Sequence, residues 1–324
     1  MQLRKSRMKT NNKRRVLTAA LATAFLMSNA PVFAAGEKIA VSFQTLSIPF
    51  FIFMHEQAVQ EAKALDINLL VQDAQASSSK QSSDIENSLT QGAKAVVLTP
   101  NDVSALAPVI NDVLDEKVPV IAVDRRVEGT SSAVPFVTAD NVAGGRIMGE
   151  WVVKNMPKGA NVVLITGQIG STTAMDRAKG VHQALTAAGS NFKLVAEQSG
   201  EADRAKAMSV VENILTASAG TPPDVIICST GDMTLGAVEA VRGMGLSNKI
   251  KIIGYDAYPE VLKSIKAGEI TGIVEQSPSK QIRTALRLVV DNIRNGTKIE
   301  SVTVQPFMVT QQNLDQAEQF SAIK

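Results

Sequence analysis

Two aspartates end similar apolar segments of the sequence, and their carboxylates could bind the same polar ligand. Asp124 ends the segment VPVIAVD, and Asp256 ends the segment KIKIIGYD, 132 residues later. Carboxylate oxygens accept hydrogen bonds and suit hydroxyl donors well. If the chain forms two lobes with these residues at matching strand ends, both carboxylates could close on one polar ligand.

Signatures of enzyme chemistry are scarce. The sequence has two histidines, His55 and His182, and both fall inside predicted helices, which disfavours a Ser-His-Asp triad. There is no nucleophile elbow, complete dinucleotide fingerprint or phosphate loop, and no His/Cys cluster with zinc spacing. A pair of glycosidase acids stays open by composition, but the barrels and sandwiches that usually carry it do not match this chain. We therefore predict a protein without catalytic residues, cofactor or metal.

The first 34 residues have the pattern of a secretory signal peptide. Residues 1–15 carry seven Lys or Arg and no acid, Val16–Met27 is apolar, and PVFA precedes a cleavage point after Ala34. The apolar run is too short to span a membrane. The alternative is a disordered basic arm, but the order of charge, apolar core and cleavage site favours export.

The predicted cleavage changes the charge of the protein. The whole chain has 33 basic and 31 acidic residues; without residues 1–34 the balance becomes 26 to 31, a net charge of about −5 with His neutral. This balance does not indicate binding to nucleic acid. Cys228 is the single cysteine and lies in an apolar run, so we predict a buried strand residue and no intrachain disulfide. The remaining residues are enough for two domains of ordinary size.

Beyond Lys38, short apolar runs alternate with longer amphipathic segments, and the alternation occurs twice. In the first series we predict strands at 38–43, 68–72, 95–98 and 118–123, with helices at 50–64, up to about 92, and 104–114. In the second we predict strands at 161–165, 193–196, 225–228 and 250–254, with helices at 174–188, 205–217 and 234–244. A further apolar segment at 270–276 and a helix at 280–295 follow, and there we expect the chain to return to the first lobe.

Strands of four to six residues separated by helices predict βαβ units and parallel sheets covered by helices on both faces. The two series correspond step by step: AVVLTPND, ending at Asp102, matches VIICSTGD, ending at Asp232, and each Asp could cap the following helix. The fold class is therefore α/β, with two similar doubly wound lobes. Ligands of such sheets bind outside the carboxyl ends of the strands, so polar residues there form the candidate site.

The sequence resembles the periplasmic sugar-binding proteins of ABC importers, in the branch typified by ribose-binding proteins. The resemblance covers essentially the whole chain after the signal and rests on the order and spacing of the segments TLSIPFF, VDR, ADNVAGG, DRAKG, GDMTLG, GYD and QSP. It implies two Rossmann-like lobes joined by a three-strand hinge. The implied lobes are 37–138 plus 277–305, and 139–276 plus 306–324.

The resemblance also implies a set of ligand-binding residues. Phe50 and Phe51 match an aromatic pair that packs on the sugar ring. Asp124 and Arg125 match a carboxylate and a guanidinium, Asp256 a second carboxylate, and Gln276 a hinge amide. Arg177 is a further candidate that could instead pair with Asp176 or Asp203, whereas Arg126 is expected to be a solvated neighbour.

Several positions depart from the ribose-binding pattern. Ile48 stands where an Asn is expected, Met175 in place of a ligand Arg, Ala202 in place of an aromatic residue, and Thr230 in place of an Asn. Met175 and Thr230 join the predicted binding residues. Loss of these polar groups disfavours ribose and favours a deoxy or methyl-bearing sugar, a polyol, a cyclitol or a bulkier ligand.

The resemblance thus predicts a monomeric periplasmic receptor that binds a sugar or polyol, closes its lobes and delivers the ligand to an ABC permease. The alternative is a sugar or quorum-signal receptor that feeds chemotaxis or signalling. A sugar-responsive repressor shares the fold, but it needs an N-terminal helix-turn-helix where this chain has a signal.

Overall fold

The structure, a computed structural model, describes residues 36–324; the predicted signal peptide lies outside the described residues. These residues form two six-stranded sheets. The first sheet has the order β11-β5-β4-β3-β1-β2, and all its strands are parallel. Its strands are β1 (Lys38–Phe43), β2 (Asn68–Asp73), β3 (Ala95–Leu98), β4 (Val120–Val123), β5 (Phe136–Ala139) and β11 (Val302–Val304).

The second sheet repeats this order as β12-β10-β9-β8-β6-β7, with β12 antiparallel to β10 and the other strands parallel. Its strands are β6 (Ala160–Thr166), β7 (Phe192–Ser199), β8 (Val225–Cys228), β9 (Lys251–Tyr255), β10 (Gly272–Glu275) and β12 (Phe307–Val309). The predicted α/β class with two similar doubly wound halves is confirmed.

Helices cover both faces of each sheet, as the continuously apolar strands require. They are α1 (Pro49–Leu65), α2 (Ser78–Thr90), α3 (Ala107–Asp115), α4 (Asn141–Asn155), α5 (Thr172–Ala188), α6 (Arg204–Ala217), α7 (Gly231–Gly243), α8 (Pro259–Lys266) and α9 (Pro278–Asn295). Two 3₁₀ segments, Gln311–Gln316 and Phe320–Ile323, follow β12. Among the described residues, no helix is long and apolar enough to cross a membrane.

The chain passes between the two sheets three times. It leaves the first sheet after β5, since α4 packs on α5, and it returns after β10, since α9 packs on α1. The short link from β11 to β12 makes the third passage. We propose these three passages as the hinge and as the lobe boundaries, at the positions that the sequence predicted.

The sequence patterns missed five strands and helices: β5, α4, α8, β11 and β12. Strand β5 is short, and α8 has eight residues. Helix α4 carries Gly144, Gly145 and Gly149, which have poor helix propensity. Tertiary packing against α5 overrides that propensity. By contrast, β1, β3 and β8 begin and end where predicted, and Cys228 is fully buried on β8 as expected.

Candidate ligand-binding cleft

The carboxyl ends of the two sheets line one cavity. This is the position at which open parallel sheets bind ligands. Eight of the nine predicted residues line it: Phe50, Phe51, Asp124, Arg125, Arg177, Thr230, Asp256 and Gln276. The lining is completed by Gln44, Ile48, Thr173, Ala202, Asp232 and Tyr258.

Asp124 and Asp256 occupy equivalent positions in the two sheets. Each follows a buried strand directly, and each has a left-handed backbone, with φ of +65° and +73°. The backbone N–H of Asp124 donates to Val137 O on β5 at 3.0 Å, and that of Asp256 donates to Val274 O on β10 at 2.9 Å. Left-handed backbone costs about 1–2 kcal/mol, and Asp tolerates it better than most residues. The turn directs each carboxylate away from its strand.

Arg125 is locked in place beside Asp124. Its Nη1 donates to Asn101 O at 3.2 Å and to Gln168 Oε1 at 3.0 Å, and its Nε lies 3.7 Å from Asp124 Oδ2. Both side chains are buried. Within residues 36–324, however, neither Arg125 Nε nor Asp124 Oδ1 has a hydrogen-bond partner. One donor and one acceptor therefore remain for a ligand.

A chain of side-chain amides holds Asp256. Gln276 Nε2 donates to Asp256 Oδ1 at 2.6 Å, and Gln281 Nε2 donates to the Gln276 backbone carbonyl at 2.9 Å. Gly231 N–H also donates to Asp256 Oδ2, at 3.3 Å. All of these groups are buried. Asp256 is thus fixed by the protein on both oxygens, whereas Asp124 retains an unused oxygen.

Arg177 enters the cavity from α5 and is positioned by three neighbours. Its Nε donates to Asn141 Oδ1 at 2.8 Å, and its Nη1 donates to Ser229 O at 2.7 Å. Its guanidinium lies 3.6 Å from the centroid of the Tyr255 ring, a cation–π contact. The alternative pairings of Arg177 with Asp176 or Asp203 are not formed: Asp176 binds Arg126, and Asp203 caps α6.

Glycines let α4 and α5 approach closely enough for Arg177 on α5 to contact Asn141 on α4. A Cβ on Gly145 would collide with the carbonyl of Arg177, and a Cβ on Gly180 would collide with the carbonyl of Val142. Backbone atoms cannot move aside as a flexible side chain can. The segments ADNVAGG and DRAKG therefore place Arg177 beside Asn141.

Phe50 and Phe51 lie at the start of α1 and are almost fully buried. Their ring centroids are 5.1 Å apart, and the ring planes meet at 80°. Such an edge-to-face pair is a favourable aromatic contact. Because the rings are nearly perpendicular, they cannot both lie flat on the same face of a ring-shaped ligand.

Burial dominates the ionisation of the cleft carboxylates. It raises the pKa of Asp124 to about 6; the positive charges of Arg125 and Arg177 oppose this rise, and the negative charge of Asp256 adds to it. Burial also raises the pKa of Asp256, and Arg177 and the hydrogen bond from Gln276 counteract it. The pKa of Arg125 falls to about 10 through burial, so its guanidinium stays charged at neutral pH.

Residues of the two halves hydrogen-bond to each other at the mouth of the cleft. The contacts join Arg125 Nη1 to Gln168 Oε1, Val103 N to Gly170 O, Arg126 N to Thr172 Oγ1 and Arg126 Nη1 to Asp176 Oδ2. The donors come from loops of the first sheet, and the acceptors from the segment between β6 and the first turns of α5. The structure is therefore in a closed arrangement.

Comparison with known sequences identifies the family. The model of the periplasmic binding protein domain matches residues 39–298. The chain belongs to the periplasmic binding protein family. The ribose import binding protein of Salmonella typhimurium is 31% identical over 269 residues, which cover 82% of this chain and 88% of the relative. The D-allose-binding periplasmic protein of Escherichia coli is 30% identical over 308 residues, covering 88% and 96%.

Solved structures of other binding proteins share this fold. The Caulobacter myo-inositol binding protein, crystallised with myo-inositol, is 49% identical, with a TM-score of 0.86 and coverage of 88% of this chain and 97% of that one. A D-allose complex of an Actinobacillus succinogenes solute binding protein is 29% identical, with a TM-score of 0.80 and coverage of 86% and 99%. The predicted resemblance to sugar-binding proteins of the ribose-binding type is confirmed.

One predicted member of the binding set lies outside the cleft. Met175 does not line the cavity, and its side chain is 52% exposed. On helix α5, Thr173 and Arg177 face the cleft, and Met175, two residues from each, is turned roughly 200° away around the helix axis. Arg177 therefore brings a guanidinium to the cleft from the second half, although Met175 stands where the resemblance places an arginine.

The sequence interpretation also missed four lining residues: Gln44, Thr173, Asp232 and Tyr258. Gln44 directly follows β1, so the strand-end rule that found Asp124 could have found it. The predicted helix cap at Asp232 is wrong. Thr230 caps α7, because its hydroxyl accepts from Met233 N–H at 3.4 Å, and Asp232 instead accepts from Tyr258 OH at 2.7 Å. Within residues 36–324, no group of three potential metal ligands converges.

Proposed function

We propose that this periplasmic binding protein binds a cyclitol, with myo-inositol as its ligand, and delivers it to the permease of an ABC importer. The import role follows from the family, whose curated relatives include ribose import binding proteins. A role in chemotaxis or signalling has no observation in its favour here.

The observation that carries the proposal is a group of buried polar atoms that the protein itself leaves unpaired. Gln44 Oε1, Asp124 Oδ1 and Arg125 Nε line the cleft, and none of them has a hydrogen-bond partner within residues 36–324. A buried polar atom without a partner costs about 1–3 kcal/mol. A polyhydroxyl ligand offers each of them a partner, because a hydroxyl both donates and accepts.

The balance of donors and acceptors favours a cyclitol. Three carboxylates line the cavity, those of Asp124, Asp232 and Asp256. Ionised carboxylates only accept hydrogen bonds, so they require a ligand rich in hydroxyl donors. A cyclitol such as myo-inositol carries a hydroxyl on every ring carbon. A sugar ring has one oxygen in the ring itself. That oxygen accepts hydrogen bonds but cannot donate one, so the sugar has one hydroxyl donor fewer than the cyclitol.

The solved relatives support the same ligand. The Caulobacter protein at 49% identity binds myo-inositol, as does a Bacillus halodurans solute binding protein at 26% identity with a TM-score of 0.81. In this chain the face of one Phe50/Phe51 ring would pack against the C–H groups of the cyclitol, and the carboxylates and arginines would bind its hydroxyl edge.

We also propose the cellular setting predicted by the sequence. Residues 1–34 act as the cleavable signal, the mature chain from residue 35 works in the periplasm as a monomer, and ligand-induced closure presents both halves to the permease. The periplasmic location of the relatives supports this setting.

The proposal is tested with the mature chain, residues 35–324, in a thermal-shift assay followed by calorimetry. The panel contains myo-inositol, D-ribose, D-allose, D-glucose and a linear polyol. We expect myo-inositol to give the largest shift; a ligand at a hundredfold excess over its Kd adds about 2.7 kcal/mol to the free energy of unfolding. A panel in which myo-inositol gives no shift, or in which ribose binds more tightly, would overturn the cyclitol assignment.

A further inference from the structure

Asp232 is a cleft carboxylate that does not cap a helix. It lies in the first turn of α7, where Thr230 already caps the helix. Asp232 Oδ1 accepts from Tyr258 OH at 2.7 Å, and within residues 36–324 no other hydrogen bond reaches the carboxylate. Oδ2 therefore remains available to a ligand in the cavity that the residue lines.

Tyr258 is buried beside Asp232 and fixes the position of its carboxylate. The tyrosine lies two residues after Asp256, is 3% exposed and packs against α7. A Cβ on Gly231 would collide with its ring, so the glycine makes the space that the ring occupies. Because the Tyr258 hydroxyl donates its hydrogen to Asp232, the position of the carboxylate is set before a ligand binds. Gly231, Asp232 and Tyr258 act as one unit.

We infer that Asp232, positioned by Tyr258, is the residue that selects a ring hydroxyl over a ring oxygen in the ligand. A hydroxyl donates to the free Oδ2, whereas an ether oxygen placed there would bring two acceptors together with no hydrogen between them. This inference rests on the proposed function, because it explains how a cyclitol is preferred to a pyranose of the same size.

The other carboxylates cannot make this selection alone. Asp256 is held on both oxygens by Gln276 and Gly231, and Asp124 lies beside Arg125, whose Nε can donate to a ring oxygen. A pyranose could therefore turn its ring oxygen toward Arg125. Asp232 has no cation within hydrogen-bond distance among residues 36–324, so an acceptor-only atom at this position finds no donor.

The test compares Asp232→Asn with the unmodified mature chain in calorimetry with myo-inositol and D-glucose. The amide of Asn has the same shape as the carboxylate, and its N–H can donate a hydrogen bond to a ring oxygen of the ligand. We expect the affinity for myo-inositol to fall about 10- to 100-fold and the affinity for D-glucose to hold or rise. The ratio of the two affinities therefore falls at least about tenfold.

Two further variants separate selection from a structural role. Tyr258→Phe removes the positioning hydroxyl and should lower the same affinity ratio by a smaller factor, about 3- to 10-fold. Glu260→Gln changes an exposed acid outside the cavity and should leave the ratio unchanged. Melting temperatures measured without ligand show whether each variant is folded.

Monodeoxy-inositols, each lacking one hydroxyl, test which hydroxyl contacts Asp232. One of them should bind the unmodified protein more weakly than myo-inositol does but bind Asp232→Asn as well as myo-inositol does. The hydroxyl that it lacks is then the one bound by Asp232.

The outcomes distinguish the two proposals. If the unmodified protein does not bind myo-inositol, the proposed function fails and this inference fails with it. If it binds myo-inositol, and Asp232→Asn lowers both affinities equally or neither, the cyclitol assignment stands and the selective role of Asp232 is overturned.

Discussion

Arg126 and Asp176 form an ion pair across the mouth of the cleft, with Arg126 Nη1 2.6 Å from Asp176 Oδ2. Arg126 follows the cleft residues Asp124 and Arg125, and Asp176 precedes Arg177, yet neither partner lines the cavity. The sequence suggested a solvated Arg126. The structure shows instead that residues next to those lining the cleft connect the two halves in the closed arrangement.

This pair should favour closure without touching the ligand. Its side chains are 31% and 19% exposed, so solvent limits its contribution to about 1 kcal/mol or less. We expect Arg126→Ala and Asp176→Ala each to weaken ligand binding about two- to fivefold, with a double variant no weaker than the worse single one. Calorimetry measures the affinities, and Arg146→Ala, which breaks a pair within α4, is the control. Fully additive losses would show that the pair is not coupled.

Asp124 should matter far more for binding than for folding. Removing one partner of a buried charged contact typically costs 2–5 kcal/mol of binding free energy, so Asp124→Ala should raise the Kd about 30-fold or more. Because burial already disfavours its charge, the melting temperature of the ligand-free variant should hold or rise. Glu150→Ala, on the exposed face of α4, serves as control. Retained affinity in Asp124→Ala would remove this residue from the site.

Ligand binding should weaken below pH 6. In the closed protein Asp124 takes up a proton as the pH falls through about 6, and the protonated acid accepts a hydrogen bond from a ligand hydroxyl more weakly than the ionised carboxylate does. One pH unit below the pKa costs about 1.4 kcal/mol, so the Kd at pH 5 should be about tenfold that at pH 7.5. Calorimetry at both values checks this, and Asp124→Asn should lose most of the dependence. A Kd that does not change with pH would contradict the assignment.

The raised pKa of Asp124 has the opposite effect on folding: it makes the folded protein more stable at low pH. The pKa of Asp124 is raised from 3.8 to about 6 in the folded protein. The folded state therefore binds the proton more tightly than the unfolded chain does. This contribution to stability is complete below pH 3.8 and is lost as the pH rises through about 6. Asp124→Asn should remove it, as urea unfolding at pH 5 and pH 7.5 would show.

Gly145 should be essential for the α4–α5 contact that positions Arg177. In Gly145→Ala the new methyl group meets the Arg177 carbonyl, and overpacking of this kind costs about 1–3 kcal/mol of stability. We also expect weaker ligand binding, because α5 must shift. Gly243→Ala is the matched control: it lies at the end of α7 with no atom near the added Cβ, so stability should hold or rise by up to about 1 kcal/mol. Equal effects of the two substitutions in urea unfolding would contradict the prediction.

The repeated βα pattern allowed much of the fold to be predicted, because buried parallel strands need continuous apolar runs and covering helices need amphipathic ones. Asp124 and Asp256 were found for the same reason: a polar residue directly after a buried strand lies at the edge where ligands bind. The pattern could not reveal α4, whose glycines weaken its helix signal and whose stability comes from contact with α5. Nor could it show which way Met175 points, since that orientation depends on where α5 begins.

The sequence by itself determined the two-lobed α/β architecture, the strand-end carboxylates and the family, because these depend on periodicity and on the order of local segments. The tertiary structure alone decided which neighbours share the cleft. It turned Met175 out to solvent, placed Arg177 on Tyr255, and freed Asp232 from the helix cap to pair with Tyr258. These contacts join residues far apart in the chain, so they depend on packing geometry that no local pattern encodes.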